Sequence, residues 1–233
     1  MLPVTSQGKF ILSTVVLQST NAVQSKLRCP QTLAKKPKQI LFICIFNVQR
    51  SVAAEYIFRN MLAHEGADYA MKIRVISAGF LGKELTRWFQ ARAIPLPDPL
   101  FNQPPTELIR IVLLKRGIDI SLHRSRAVNR AMLDCSDIII PLLSILKKDL
   151  ISEYPDIGRK VFLPNELLGK EFTFYWEDTS VFPQDSRFYN FVHNDPSYIN
   201  RNIDELEEYL RLAFSTILSY LLGPKEAGQK EIK

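Results

Sequence analysis

A short apolar segment that runs into a loop and then a helix is the feature that most constrains this chain. Residues 39–43, Gln-Ile-Leu-Phe-Ile, have the pattern of a buried strand and lead directly to Cys44. The loop reads Cys-x5-Arg-Ser and ends at Ser51. The following residues, 51–63, carry apolar side chains at three-to-four-residue spacing, which predicts a helix with one buried face.

The chemistry of this loop predicts an anion site that contains a nucleophile. The start of a helix offers unpaired backbone N–H groups and the positive end of a dipole, which favour a bound oxyanion and a thiolate. Arg50 adds a planar fork of donors that matches two oxygens. A lone cysteine at a strand end is more often a small core side chain. Arg50 and Ser51 at the helix start favour the functional interpretation of Cys44.

Length and composition predict one globular domain with extensions. The chain has 233 residues, of which 46% are hydrophobic, and this is enough for a substantial core. The expected organisation is a flexible basic arm over 1–37, a domain over 38–223 with insertions near 81–104 and 165–193, and a polar tail over 224–233.

The positive charge is confined to the start of the chain. Residues 1–38 hold six basic side chains and no acidic one, so the formal net charge of +6 leaves the remainder neutral. A nucleic-acid-binding domain usually carries its own positive surface, so we expect no nucleic-acid partner. The arm is interpreted either as a flexible extension or as a targeting segment, and its sequence does not distinguish them.

Cysteine content and hydropathy restrict the class further. Cys29, Cys44 and Cys135 are too few and too widely spaced for a disulfide framework or a zinc site. We expect no metal and no cofactor. No apolar run approaches the roughly 18 residues of a membrane span, so we expect no span and a cytoplasmic location, where a catalytic thiol stays reduced.

Short apolar runs that alternate with helical segments predict an α/β fold. Strands are expected near 39–43, 72–77, 137–142 and 160–163, and helices at 51–63, 105–116, 126–134, 144–153 and 202–222. This order predicts a doubly wound, four-stranded parallel sheet with its ligand at the carboxyl ends of the strands. Asn202 is the expected cap of the last helix.

Two segments interrupt the regular pattern. Residues 81–104 contain several prolines, which argue against a strand or a helix interior. Residues 165–193 are rich in aromatic side chains. They are interpreted either as a satellite core beneath a long loop or as a lid or docking surface beside the site, and the two interpretations are compatible.

Four motifs in chain order resemble those of the low-molecular-weight protein tyrosine phosphatase family, which is related to thioredoxin-coupled arsenate reductases. They are Cys44-x-x-Asn47-x-x-Arg50-Ser51, Ser77-Ala78-Gly79, Gly117-Ile118-Asp119 followed by His123-Arg124, and Asp195-Pro196-Ser197-Tyr198. The resemblance covers residues 38–80, 105–163 and 194–222. It implies a flavodoxin-like three-layer sandwich and a hydrolase that removes phosphate from phosphotyrosine.

The resemblance also implies a role for each matching residue. Cys44 would be the nucleophile, Arg50 would bind the phosphate and Asp195 would be the general acid. The phosphate-binding loop would comprise Ile45, Phe46, Asn47, Val48, Gln49, Arg50 and Ser51. Asn47 would hold a left-handed backbone and connect the loop to its supporting residues, Ser51, Ser77 and His123.

The chain departs from the family pattern at several positions. Phe46 stands where glycine is usual and narrows the expected pocket mouth. Gln49 replaces the second cysteine of the loop, so no protective disulfide can form inside it. Ser197 replaces the first tyrosine of the acid loop and removes one wall of the pocket, which leaves Trp88 and Tyr198 as candidate walls.

Three functions are compatible with these residues. The preferred one is a phosphatase acting on a phosphorylated protein or peptide, with inorganic phosphate as product and inhibitor. Val48 stands where relatives specific for arginine phosphate carry threonine, which favours an aryl phosphate. An arsenate reductase would use the same cradle but needs resolving thiols, and only Cys135 follows the His123 motif, so an external thiol would be required. A catalytically weak protein that binds phosphorylated ligands is the third.

Overall fold

The computed structural model describes residues 36–93, 95–96, 100–169 and 196–224. Several predictions fall outside these residues. They concern the basic arm up to residue 35, residues 170–193 of the aromatic segment, Asp195, and the polar tail from residue 225.

A parallel sheet with Cys44 at the end of its middle strand is the centre of the molecule. Its strands are β1 (Lys38–Cys44), β2 (Ile73–Gly79) and β3 (Ile138–Pro141), in the order β2-β1-β3. The register places Cys44 opposite Gly79 and Ile43 opposite Pro141, so the carboxyl ends of all three strands lie together. The predicted class, a doubly wound α/β fold of flavodoxin-like type, is confirmed.

The helices lie between and after the strands. They are α1 (Arg50–Glu65), α2 (Ala67–Lys72), α3 (Lys83–Ala91), α4 (Glu107–Leu114), α5 (Arg130–Cys135), α6 (Ser144–Glu153), a 3-10 helix (Pro155–Lys160), α7 (Pro164–Leu168) and α8 (Pro196–Leu222). Helix α1 packs against β1, β2 and α8, whereas α3 packs against α6, and α5 and α6 contact the sheet through β1 and β3. The β1 residues 40–43 are completely buried between these layers. None of the helices described has the length and apolarity required to cross a membrane.

The prediction of four strands is wrong for the part of the chain described, which contains three. Residues 160–163 form only a parallel bridge between Val161 and Ile139, with one further hydrogen bond from Phe162 N to Ile139 O at 3.0 Å. A strand has no room here. The 3-10 helix ends at Lys160 and α7 begins at Pro164, so only three residues remain between two helices.

The predicted start of the last helix is also wrong. Helix α8 begins at Pro196, six residues before the expected cap. Proline is well tolerated in the first turn of a helix, where no N–H is needed. Asn202 therefore lies inside the helix, where it is buried, and does not cap it.

A helix was missed in the proline-rich segment. Helix α3 occupies residues 83–91, because the prolines begin only at Pro95 and leave the preceding residues free to be helical. It buries Leu85 and Phe89. The buried carboxylate of Asp149 caps it from α6 and accepts the backbone N–H groups of Glu84 (3.3 Å) and Leu85 (3.2 Å).

Candidate active site

The candidate site lies where β1 ends and α1 begins. Cys44 is the last residue of β1 and is only 3% exposed, and α1 begins six positions later at Arg50. Asn47 in the connecting loop has a φ of 57°, the left-handed conformation that asparagine adopts more readily than most residues. The loop turns sharply at this point and returns the chain to the start of α1.

A hydroxyl and a backbone N–H group converge on the sulfur of Cys44. The hydroxyl Oγ of Ser51 lies 2.9 Å from Cys44 Sγ, and the backbone N–H of Asn47 donates to the same sulfur at 3.3 Å. Ser51 is in the first turn of α1, where backbone N–H groups carry partial positive charge. A hydroxyl, an amide and a helix terminus therefore all favour negative charge on this sulfur.

The side chain of Asn47 connects the loop to two other parts of the chain. Its Oδ1 accepts the backbone N–H of Arg126 at 3.1 Å and lies 3.2 Å from His123 Nε2. Its Nδ2 donates to Ser51 Oγ at 3.0 Å and to Ser77 Oγ at 2.8 Å. All four contacts are buried or partly buried, so the left-handed turn is held from β2 and from the segment that follows α4.

His123 is a neutral partner in this network. Burial lowers its pKa to about 4, so the imidazole is uncharged at neutral pH. Its Nε2 also lies 3.3 Å from the backbone oxygen of Asn47, and the ring of Tyr56 meets it edge-on with centroids 6.0 Å apart.

Sequence reasoning missed Glu55, a buried carboxylate one helical turn after Ser51. The residue is 1% exposed and accepts a hydrogen bond of 2.5 Å from Ser77 Oγ. It also pairs with Arg59 at 2.6 Å and with Arg126 at 3.4 Å. Burial raises the pKa of Glu55, and the bond from Ser77 and the two guanidinium groups oppose that rise. An acidic side chain on the apolar face of α1 was the available signal.

An aromatic wall stands beside the loop. The ring of Phe46 packs on Phe89 of α3 with centroids 5.7 Å apart, and Trp88 meets Phe89 at 5.2 Å. The guanidinium of Arg92 lies 4.4 Å above the ring of Trp88. The bulky residue at position 46 is therefore accommodated by α3.

The loop is also hydrogen-bonded to the segment before α4. Thr106 donates its backbone N–H to Val48 O at 3.1 Å, and its Oγ1 accepts from Gln49 Nε2 at the same distance. Gln49, which stands in place of a second loop cysteine, thus makes a structural contact. Sequence reasoning gave no indication of this contact.

The structure brings most of the predicted site residues together. Ser77 and His123 converge on the loop, which is composed of Cys44, Ile45, Phe46, Asn47, Val48, Gln49, Arg50 and Ser51. Arg50 is 9% exposed at the start of α1. Asp195 lies outside the described residues, one position before α8. Within the described ranges, no three His, Cys, Asp or Glu side chains are grouped so as to hold a metal ion.

A buried thiol lies at the carboxyl end of the central parallel strand, in a loop that leads into a helix. This arrangement on a doubly wound sheet is typical of sites that favour a bound oxyanion. The comparisons agree with this class. The family model described as low molecular weight phosphotyrosine protein phosphatase matches residues 39–95. The resemblance to that family is thereby confirmed.

A curated relative is the low molecular weight protein-tyrosine-phosphatase YfkJ of Bacillus subtilis (strain 168). It is 31% identical over 103 residues, which are 44% of this chain. The match spans 54% of the relative, about half of its length.

Solved structures extend the likeness in fold to most of the chain. A low molecular weight protein tyrosine phosphatase from T. tengcongensis superposes with a TM-score of 0.54 at 24% identity, covering 76% of this chain and 97% of its own. A protein tyrosine phosphatase from Entamoeba histolytica gives 0.57 at 19% identity, covering 77% and 96%. A mutant of the YwlE arginine phosphatase with a phosphorylated active-site serine gives 0.56 at 20% identity, covering 78% and 95%.

Proposed function

We propose that this protein is a cysteine-dependent phosphomonoesterase, a protein tyrosine phosphatase of the low-molecular-weight type. The observation that carries the proposal is the 2.9 Å approach of Ser51 Oγ to Cys44 Sγ at the start of α1. A cysteine that only filled the core would need neither this hydroxyl nor the Asn47 amide. Together they support a stabilised thiolate, which is the nucleophilic form.

The proposed reaction has two steps. The Cys44 thiolate attacks phosphorus in line, the bond to the substrate oxygen breaks, and Asp195 gives that oxygen its proton. Water then attacks the phosphocysteine, Asp195 accepts a proton from it, and the thiolate and inorganic phosphate are released. Arg50 and the N–H groups of the loop bind the equatorial oxygens throughout.

An aryl phosphate on a protein or peptide is the proposed substrate. The aromatic wall of Phe46, Phe89 and Trp88 offers ring surfaces on which a phenyl ring can pack. One of the solved structures that this chain resembles is an arginine phosphatase. Because Val48 stands in place of the threonine of relatives specific for arginine phosphate, we favour phosphotyrosine. Inorganic phosphate is proposed as both product and inhibitor, and the cytoplasm as the compartment that keeps Cys44 reduced.

The first experiment compares the parent protein with Cys44→Ser in hydrolysis of p-nitrophenyl phosphate, without added metal, at about pH 5.5. We expect turnover by the parent, inhibition by inorganic phosphate, and no turnover by Cys44→Ser. Retained phosphate binding by the variant would show that its loop is intact. Equal turnover by both proteins would refute the proposal.

Two other functions are tested by further assays of the parent protein. A parent protein that binds a phosphotyrosine peptide without hydrolysing it would be a phospho-ligand-binding protein. A parent protein that does not hydrolyse phosphate esters but reduces arsenate when supplied with an external thiol would be an arsenate reductase. Phosphotyrosine and phosphoarginine peptides, assayed side by side, test the substrate class.

Asp195 has its own test. Loss of a general acid lowers the rate most when the alcohol or phenol that departs is a poor leaving group. We expect Asp195→Asn to lower kcat about tenfold or more, with a larger loss for phenyl phosphate than for p-nitrophenyl phosphate. An equal effect on both esters would exclude Asp195 as the acid.

A further inference from the structure

The orientation of the Asn47 side chain is fixed by its neighbours. A backbone N–H can only donate, so the atom that faces Arg126 N at 3.1 Å is the oxygen Oδ1. His123 Nε2, 3.2 Å from the same oxygen, must therefore carry a proton. The other end of the amide, Nδ2, supplies its two protons to Ser51 Oγ and Ser77 Oγ.

With Cys44 as a thiolate and Glu55 ionised, neither of these groups can donate, so each serine hydroxyl must donate its proton to one of them. Each serine oxygen already accepts one proton from Asn47 and has a single proton of its own to donate. For Ser77 the remaining partner is Glu55 Oε2, at 2.5 Å. For Ser51 it is Cys44 Sγ, at 2.9 Å. Every bond then points the same way, outward from Asn47 toward two negative acceptors.

We propose that Glu55 is a positioning residue for the nucleophile: as the terminal acceptor beyond Ser77, it holds Asn47 in the orientation that directs the Ser51 proton to Cys44. The inference rests on the proposed function, in which the Cys44 thiolate attacks phosphorus. Glu55 itself touches neither the sulfur nor the substrate. It acts through two intervening side chains, Ser77 and Asn47.

Two arginine side chains contact Glu55 and favour its ionised, accepting form. Arg59 pairs with Oε1 at 2.6 Å and also donates to Val75 O on β2 at 2.7 Å. Arg126 reaches Oε2 at 3.4 Å and donates its Nε to Ser77 O at 2.8 Å. Two guanidinium groups, each anchored to a β2 carbonyl, thus oppose the cost of burying the carboxylate.

Glu55→Gln is the informative substitution because it keeps the shape of the side chain and replaces one acceptor oxygen with an NH2 donor. The amide must place its NH2 group either against Arg59 or against Ser77 and Arg126, which are already donors. In either orientation the chain of bonds from Asn47 loses its anionic terminus. The hydrogen bond from Ser51 Oγ to the Cys44 sulfur is then weaker.

The experiment measures alkylation of Cys44 by iodoacetamide as a function of pH, followed by mass spectrometry of the Cys44 peptide. We expect Glu55→Gln to slow alkylation at about pH 6 roughly tenfold and to move the midpoint of the pH profile upward. Ser77→Ala should move the midpoint in the same direction. Because Glu55 acts through Ser77, the double variant should be little worse than Ser77→Ala alone.

Asp149→Asn is the matched control. Asp149 is also a buried carboxylate, but its partners are the backbone N–H groups at the start of α3. We expect it to lower the melting temperature without moving the midpoint for Cys44. A midpoint shift in Glu55→Gln no larger than in this control, or additive effects of Glu55→Gln and Ser77→Ala, would overturn the proposal.

The outcome is separable from that of the proposed function, because alkylation does not require turnover. If the parent protein fails to hydrolyse phosphate esters but the variants show the expected midpoint shifts, the role of Glu55 is supported and the proposed function is refuted. If Glu55→Gln does not fold, Ser77→Ala, which removes one oxygen, carries the test. An unchanged midpoint in that variant overturns the proposal.

Discussion

Gly79→Ala tests how closely the end of β2 is packed against the loop that follows Cys44. Gly79 lies opposite Cys44 in the sheet. A Cβ at this position would lie 2.8 Å from Ile45 O, 3.0 Å from Phe46 C and 2.5 Å from Cε1 of the Phe101 ring. The ring can rotate away, whereas the two loop atoms belong to the backbone. The loop must therefore move by several tenths of an ångström.

The size of the effect follows from this displacement. Overpacking a tight contact lowers the free energy of unfolding by about 1–3 kcal/mol, which corresponds to a fall in melting temperature of about 5 °C for a chain of this size. A misplacement of about 1 Å in a catalytic group costs about a hundredfold in rate, so a shift of about half that size should lower kcat/KM about tenfold. The assays are thermal unfolding and hydrolysis of p-nitrophenyl phosphate.

Two variants separate the possible causes. Gly158→Ala is the control, because its nearest contact would be an unstrained 3.9 Å from the Ile151 side chain, and it should leave both readouts unchanged. Phe101→Leu added to Gly79→Ala removes only the contact with the ring. If the loop backbone is the obstacle, this addition restores little activity. Full recovery of activity, or a Gly79→Ala variant as active as Gly158→Ala, would refute the reasoning.

Two further predictions concern His123 and Arg50. Burial holds the pKa of His123 at about 4, below its ordinary value of 6.5, so the unfolded chain binds more protons between these values and stability falls as the pH is lowered through this window. His123→Gln, which keeps a donor for Asn47, should flatten this part of a melting-temperature-against-pH profile, and an unchanged slope would exclude His123 as its source. The raised pKa of Glu55 acts in the opposite direction above 4.5, so the profile is compared with that of Glu55→Gln. Arg50→Lys keeps the charge but loses the fork of donors, and kcat should fall about a hundredfold or more while the melting temperature changes little; a loss below about fivefold would contradict bidentate phosphate binding.

The parts of this molecule that were predictable from sequence are those with local causes. The run before Cys44 is apolar without interruption because β1 is covered on both sides, and the spacing after Ser51 is helical because α1 buries one face. The loop between them has its characteristic residues, Cys44, Arg50 and Ser51, within eight consecutive positions. Each of these signals lies inside one window of sequence, so the strand, the loop and the helix were all recognised.

The errors occurred where a neighbouring element decides the outcome. Helix α3 is capped by Asp149, which lies more than sixty residues away, so its start has no local cap to recognise. The apolar residues around Val161 resemble a strand, but the helices on either side leave space for one bridge. At the start of α8, Pro196 fits the first turn, and Asn202 is buried inside the helix despite its favourable capping chemistry.

Glu55 shows why a site can be recognised from its motif while its support is missed. The residue lies on α1 only four positions after Ser51, yet its partner Ser77 comes from β2 and Arg126 from the segment after His123. No spacing in the sequence links these three residues, because the sheet register and the path of the chain bring them together. A buried acid on an apolar helix face requires compensation from elsewhere in the fold. Here part of that compensation comes from Ser77, whose hydroxyl also accepts from Asn47, and from Arg126, whose backbone N–H also donates to Asn47. The burial of Glu55 in α1 and the geometry of the thiol therefore depend on two residues in common.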